Sequence, residues 1–334
     1  MKPVAPPSSS PATGPTGGLP RAGGTAASFV DPQTLMRIKS LQVRARIIVQ
    51  GFLSGLHRSP NHGFSVEFSE YRQYTPGDDT RYIDWRLYAR TDRYYLKRFE
   101  EETNLRCQIL VDLSRSMGYG SLPYTKADYA RTAAATLAYF LAMQRDAVGL
   151  ITFTDEVADY IPARYRPGHL QRIMVCLERA TAGKSTNLVT PLEQVAATVR
   201  KRGMLVLISD LLTDPTVLKT HLQYLRSQGH EIVLLRVLDP AEINFTFDGP
   251  ATFVDAESGR DLFIDPAAAR KGYRDNFTRH ADEIDRTCRE LGIDLHPLVT
   301  SQPLDLALYG LLQARLHGGR QVARATGQRS GGSA

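Results

Sequence analysis

Three oxygen-bearing side chains stand at alternate positions in one short stretch: Asp112, Ser114 and Ser116. They follow the apolar run Leu105 to Leu113, which reads as a buried parallel strand. The carboxylate and the two hydroxyls therefore fall at the strand's C-terminal end and in the loop beyond it, where open α/β sheets place their ligand sites. Two further candidates come from remote segments. Met204 to Ser209 is a second apolar run and ends at Asp210, and the loop 183–187 offers Thr186 just ahead of a helix. All five groups are hard oxygens, with neither His nor Cys among them, so the set suits Mg²⁺ or Mn²⁺ and not zinc. Three neutral hydroxyls add no charge and two carboxylates roughly balance a divalent ion; with the carboxylates acting partly through water, the ion would stay electrophilic enough to take one more carboxylate, supplied by a partner protein.

Catalytic signatures are missing around this cluster. No Ser–His–Asp or Cys–His arrangement, no P-loop and no Gly-rich dinucleotide fingerprint can be read. A phosphotransferase nucleophile at Asp112 would need a general acid nearby, which Arg115 does not provide. The eight histidines are scattered without ligand spacing and are expected at surfaces or helix ends. Another chemistry could lie at Glu67, Glu70, Asp78, Asp79 and Asp84, a carboxylate group able to serve a metal-dependent phosphoester hydrolase. The arginines among them, Arg81, Arg86 and Arg90, favour instead a structural Arg–carboxylate network with Trp85 as its apolar anchor.

The elements that must position these groups alternate. After the first strand come a helix from Tyr124 to Arg145, a strand from Ala147 to Thr154, and a short returning strand, Val157 to Pro162. Helices Leu170 to Arg179 and Leu188 to Lys201 precede the strand at Met204. A helix from Asp214-Pro215, a strand Glu231 to Leu238, a hairpin over 252–264, a helix Ala267 to Leu291, a strand Ile293 to Val299 and a helix Pro303 to Leu316 complete the pattern. Such alternation predicts an α/β fold, a doubly wound and mostly parallel sheet with helices on both faces. Ahead of it, Asp31-Pro32 opens one amphipathic helix carrying Leu35, Ile38, Leu41, Ile48 and Phe52, with Arg37, Lys39, Arg44 and Arg46 on a solvated basic face. The expected organisation is a disordered leader (1–30), the helix with the charged aromatic segment (31–104), the α/β domain (105–317) and a disordered tail (318–334).

Composition narrows the setting. The chain has 334 residues and a net charge of +6, but the basic excess lies at the two ends and the main body is slightly acidic. Nucleic-acid binding by the core does not fit that pattern. Three dispersed cysteines, Cys107, Cys176 and Cys288, exclude a disulfide framework and suit a reducing cytoplasm as buried structural residues. No stretch is long and apolar enough for a membrane span, and the polar leader has no signal-peptide core.

The text EFSEYRQYTPGDDTRYIDWR at 67–86, with Ala89-Arg90 and the 97–102 segment Lys-Arg-Phe-Glu-Glu-Glu, closely resembles the signature of domain-of-unknown-function family 58. Asp112 to Met117 resembles that family's von Willebrand factor A-like part, and Asp239 to Glu242 and Asp255 to Gly259 are similar to further family features. The resemblance covers roughly 35–316. It implies a mostly parallel α/β fold with a metal-ion-dependent adhesion site, matched here by Asp112, Ser114, Ser116, Thr186 and Asp210. It also implies a non-enzymatic adaptor that works with a MoxR-type AAA+ ATPase in assembling or metallating client proteins. Many relatives begin with two membrane spans, where this sequence has a polar leader.

Overall fold

A computed structural model describes residues 30–57, 71–73, 85–97, 105–179, 188–247, 251–254 and 261–318. Near the start of the described chain, Asp31 caps α1 (Pro32–Met36), its carboxylate accepting from the Thr34 N–H at 2.8 Å. The expected single helix is broken here. Residues 37–40 leave the helical path, and α2 (Leu41–His57) begins where Ser40 Oγ accepts from Val43 N. Arg44 is drawn out of the predicted basic face: its Nε donates to Ile38 O at 2.5 Å and its Nη1 to Thr132 Oγ1 at 3.2 Å, so it fastens the break to the body.

A small antiparallel pair follows, β1 (Tyr71–Gln73) with β2 (Tyr95–Lys97), and between them lies α3 (Trp85–Thr91). Trp85 is 60% exposed, stacked edge-on against Tyr88, so it is not the buried anchor the sequence predicted.

The main sheet holds six strands: β3 (Arg106–Asp112), β4 (Ala147–Phe153), β5 (Val157–Arg164), β6 (Met204–Ser209), β7 (Glu231–Leu238) and, last in the chain, β10 (Asp294–Val299). Their order is β10-β7-β6-β3-β4-β5, parallel throughout except for β5, which returns beside β4 as a hairpin. The chain builds outward from β3 to one edge, then crosses to β6 and builds to the other. The reversal between β3 and β6 is the topological switch point, and ligand crevices open there at the carboxyl ends of the strands.

Helices cover both faces, as the alternation predicted. They are α4 (Lys126–Met143), α5 (His169–Glu178), α6 (Val189–Thr198), α7 (Pro215–Ser227), α8 (Pro240–Asn244), α9 (Pro266–Leu291) and α10 (Leu304–Gly318). Side chains alternate along a strand. Cys107, Ile109 and Val111 of β3 therefore face a core shared with α2, α4, α5 and α10, while Leu110 packs with Leu205 and Leu207 against α6, α7 and α9. The fully buried Ala130, Ala133, Ala134 and Ala138 make α4 slim enough to lie close on the sheet. Phe52 joins α2 to this core by edge-on contacts with Phe140 (5.9 Å) and Tyr309 (5.5 Å), each worth about 0.5–1.5 kcal/mol beyond burial.

Helix starts repeat one device. Asp31, Asp214, Asp239 and Asp265 each cap a helix whose first residue is proline. Gly292 ends α9 at φ 60°, a left-handed turn that glycine adopts without strain. The predicted hairpin is present as β8 (Ala251–Val254) paired with β9 (Asp261–Ile264); its expected tip, Ser258-Gly259, lies outside the described residues. Among the described residues no helix is long and apolar enough to cross a membrane. All three cysteines are buried, and burial pushes the Cys176 thiol up to about 12 and that of Cys288 to about 11. Two histidines are buried, with Nε2 against Val148 O and Val199 O: His169 opens α5, a helix end as expected, and His230 leads into β7.

Candidate functional site

Asp112 is the last residue of β3, and the loop behind it folds back on its carboxylate. Ser114 N donates to Asp112 Oδ1 at 2.8 Å, which turns the chain and brings the next hydroxyls to the same side. The turn is continued by Met117 N to Ser114 O, and the Met117 side chain is fully buried, pinning the loop to the core. Ser114 Oγ and Ser116 Oγ then stand 3.2 Å apart.

The second wall is the end of β6, parallel to β3 with Val111 opposite Ile208. One residue further, Ser209 Oγ donates to Asp112 Oδ2 at 2.6 Å and accepts from Leu211 N at 3.0 Å. Asp210 follows and is fully buried. Its Oδ2 accepts from Lys126 Nζ at 2.9 Å and its Oδ1 from Leu212 N at 3.3 Å. Leu211, between them, holds φ 55° with its side chain entirely buried. Such a backbone is unfavourable for leucine and persists because the apolar contact holds it.

Four of the five expected ligands are thus at one place: Asp112, Ser114 and Ser116 in one loop, and Asp210 across the switch point. Thr186 lies outside the described residues, as do Glu67, Glu70, Asp78, Asp79 and Asp84 of the hydrolase reading. The sequence reading missed three participants. Ser209 is the direct bridge between the two strand ends. Lys126, the first residue of α4, is entirely buried and paired to both Asp210 and Glu242, the latter at 2.5 Å. Asp239, at the end of β7, accepts from Ser121 N (2.9 Å) and Ser121 Oγ (2.5 Å), tying the rim loop to α8. Lys126 had a legible signal, because a cation in the first turn of a helix opposes the helix dipole.

The electrostatics are uneven. Asp210 has its ammonium, and Arg236 Nε reaches the Asp210 carbonyl at 3.4 Å. Asp112 has no ion pair among the described residues. Burial, and then repulsion from Asp210, push its carboxyl from the ordinary 3.8 up to about 6, against the lowering effect of the Ser114 and Ser209 hydrogen bonds. A buried carboxylate without a counter-charge is what a bound cation would relieve. The donor set also fits a hard ion in size. An octahedral ion with bonds of about 2.1 Å holds neighbouring oxygens about 3.0 Å apart, close to the spacing of the two serine hydroxyls. Among the described residues no three His, Cys, Asp or Glu side chains group as a metal site, so hydroxyls must carry much of any coordination here.

The strand order, the antiparallel edge strand and the site at the β3–β6 switch define the class: a von Willebrand factor A-like α/β domain. The chain belongs to the family described as protein of unknown function DUF58, whose model matches residues 70–283. Uncharacterised proteins of Mycobacterium tuberculosis (Rv1480) and Mycobacterium bovis (Mb1516) are each 30% identical over 281 residues, covering 81% of this chain and 86% of theirs. Among solved structures, an aerotolerance-related membrane protein from Bacteroides fragilis aligns at 16% identity and TM-score 0.43, over 63% of this chain and 98% of that one. BatB from Bacteroides thetaiotaomicron aligns at 14% and 0.40, over 64% and 99%. At such scores these likenesses add nothing on function.

Proposed function

We propose that this protein is a non-enzymatic, metal-dependent protein–protein interaction adaptor. Mg²⁺, or Mn²⁺, is held by Asp112, Ser114, Ser116 and Thr186, with Asp210 acting from behind. The ion's open position takes an acidic residue of a partner. The resemblance to family 58 supplies the partner class, a MoxR-type AAA+ ATPase, and the role, assembly or maturation of a client protein. The observation that carries the reading is Asp112 itself: a buried carboxylate with no ion pair among the described residues, next to two converging hydroxyls at the switch point of a von Willebrand factor A-like sheet.

The test is affinity capture of the co-expressed ATPase or client in Mg²⁺ and in EDTA, with wild type and Asp112→Ala. Capture should fall at least about tenfold in EDTA, and to the same level for Asp112→Ala in Mg²⁺, with the variant's circular dichroism unchanged. Capture that persists undiminished in EDTA removes the metal from the proposal.

A further inference from the structure

Lys126 stands where a ligand-bearing site would least be expected to keep a permanent cation. Its position is rigid. Thr125 caps α4 through a reciprocal capping box with Asp128, and Lys126 N donates to Tyr119 O at 2.9 Å, so the root of the side chain cannot swing. The ammonium is spread between Asp210 and Glu242 and lies 6.0 Å from the Tyr119 ring. Glu242 is itself fixed, because its other oxygen accepts from Asp239 N at 3.0 Å and its carbonyl accepts from Tyr273 OH at 2.9 Å. Asp210 has both carboxylate oxygens engaged, one by Lys126 and one by Leu212 N, and its backbone is locked by the left-handed turn at Leu211.

Resting on the metal-site reading above, we infer that Lys126 is a built-in counter-ion that holds Asp210 off the divalent cation. Of the two carboxylates, the cation is thereby left with Asp112. Were Asp210 free, two carboxylates would neutralise the ion and hold it tightly with or without a partner. With the ammonium on Asp210, an ion at Asp112 keeps a net positive charge, and a partner's carboxylate completes it. Lys126 is therefore a positioning residue that keeps the empty-handed site weak and makes ion binding and partner binding mutually dependent. Glu242 and Asp239 connect the same arrangement to α8, and through Tyr273 to α9.

Mn²⁺ binding to the purified full-length chain, followed by electron paramagnetic resonance of the free ion, tests this without a partner. Lys126→Met should bind Mn²⁺ at least roughly tenfold more tightly than wild type, since the ammonium that neutralises Asp210 is removed. Its thermal midpoint should become strongly Mn²⁺-dependent. The double variant Lys126→Met/Asp210→Asn should return affinity toward wild type, locating the gain at Asp210. Unchanged or weaker binding by Lys126→Met, beside saturable wild-type binding, overturns the inference and leaves the metal site standing. Wild-type binding no different from that of Asp112→Ala overturns the metal site and this inference together. Should Lys126→Met not fold, the ¹⁵N-labelled wild-type ammonium serves instead. Its slowly exchanging signal should persist on Mg²⁺ saturation, whereas its loss would show Asp210 leaving Lys126 for the ion.

Discussion

Replacing Asp112 by asparagine should stabilise the metal-free protein, although it alters the centre of the site. Asn keeps the shape: its carbonyl can accept from Ser114 N, and its amide can donate to Ser209 Oγ. What it removes is the charge that burial and Asp210 disfavour. The folded carboxyl titrates at about 6 against 3.8 in the open chain, so between those values the folded state binds more protons. Stability therefore falls as pH rises through that window, and the loss is complete above it. Two pKa units correspond to about 3 kcal/mol. For a domain of this size that is a difference in Tm of ~6–12 °C. Thermal unfolding in EDTA should show Asp112→Asn above wild type by this amount at pH 7.5, with the two curves converging near pH 3.5. Saturating Mg²⁺ should raise wild type alone, by ~3 kcal/mol at a hundred times its Kd, and close the gap. If wild type is the more stable protein at pH 7.5 in EDTA, the Asp112 carboxylate is already satisfied by the fold, and the case for a cation beside it fails.

Two further changes probe the scaffold. Gly149→Ala places a methyl against Gln108 Oε1 and the backbones of Ile161 and Ala163, so urea unfolding should show a loss of about 1–3 kcal/mol; a loss under ~0.5 kcal/mol would mean the β4–β5 hairpin has slack. Phe52→Ala should cost about 3–5 kcal/mol in the same assay by opening the contact between α2, α4 and α10, and a separate early transition confined to the N-terminal helices would show they are not part of the cooperative unit.

The fold was largely legible because its strands are buried on both faces. Met204–Ser209 and Glu231–Leu238 are apolar runs whose ends coincide with the observed strands. Asp31-Pro32 and Asp214-Pro215 marked helix starts because a capping carboxylate and a residue lacking an N–H suit those positions. The break at 37–40 was not legible. The apolar spacing continues through it, and the interruption depends on Arg44 reaching Ile38 O and Thr132, a contact only the folded chain makes. Trp85 misled because size and hydrophobicity alone do not bury a ring: it opens α3, meets Tyr88 edge-on and stays 60% exposed. Within the site, local text exposed Asp112, Ser114 and Ser116, which share one loop. Lys126 and Ser209 act across the β3–β6 gap on carboxylates 84 and 97 residues away. Arg236 was equally hidden as a participant, although a lone charge inside the buried strand Glu231–Leu238 marks a position that must find a polar partner.

The placement of this cluster on the ends of the two central strands also has a mechanical side. A partner gripped there and pulled away from the edge would load β3 and β6 along their own axes. Their ladders to β4 and β7, and to each other, run parallel to that pull. The hydrogen bonds of each ladder would then share the load in shear, not open one at a time as in a peeled hairpin. The rim loop is braced to the same frame through Ser121 and Asp239. A domain built this way can serve as a stiff handle, bearing traction applied at the site without yielding first itself.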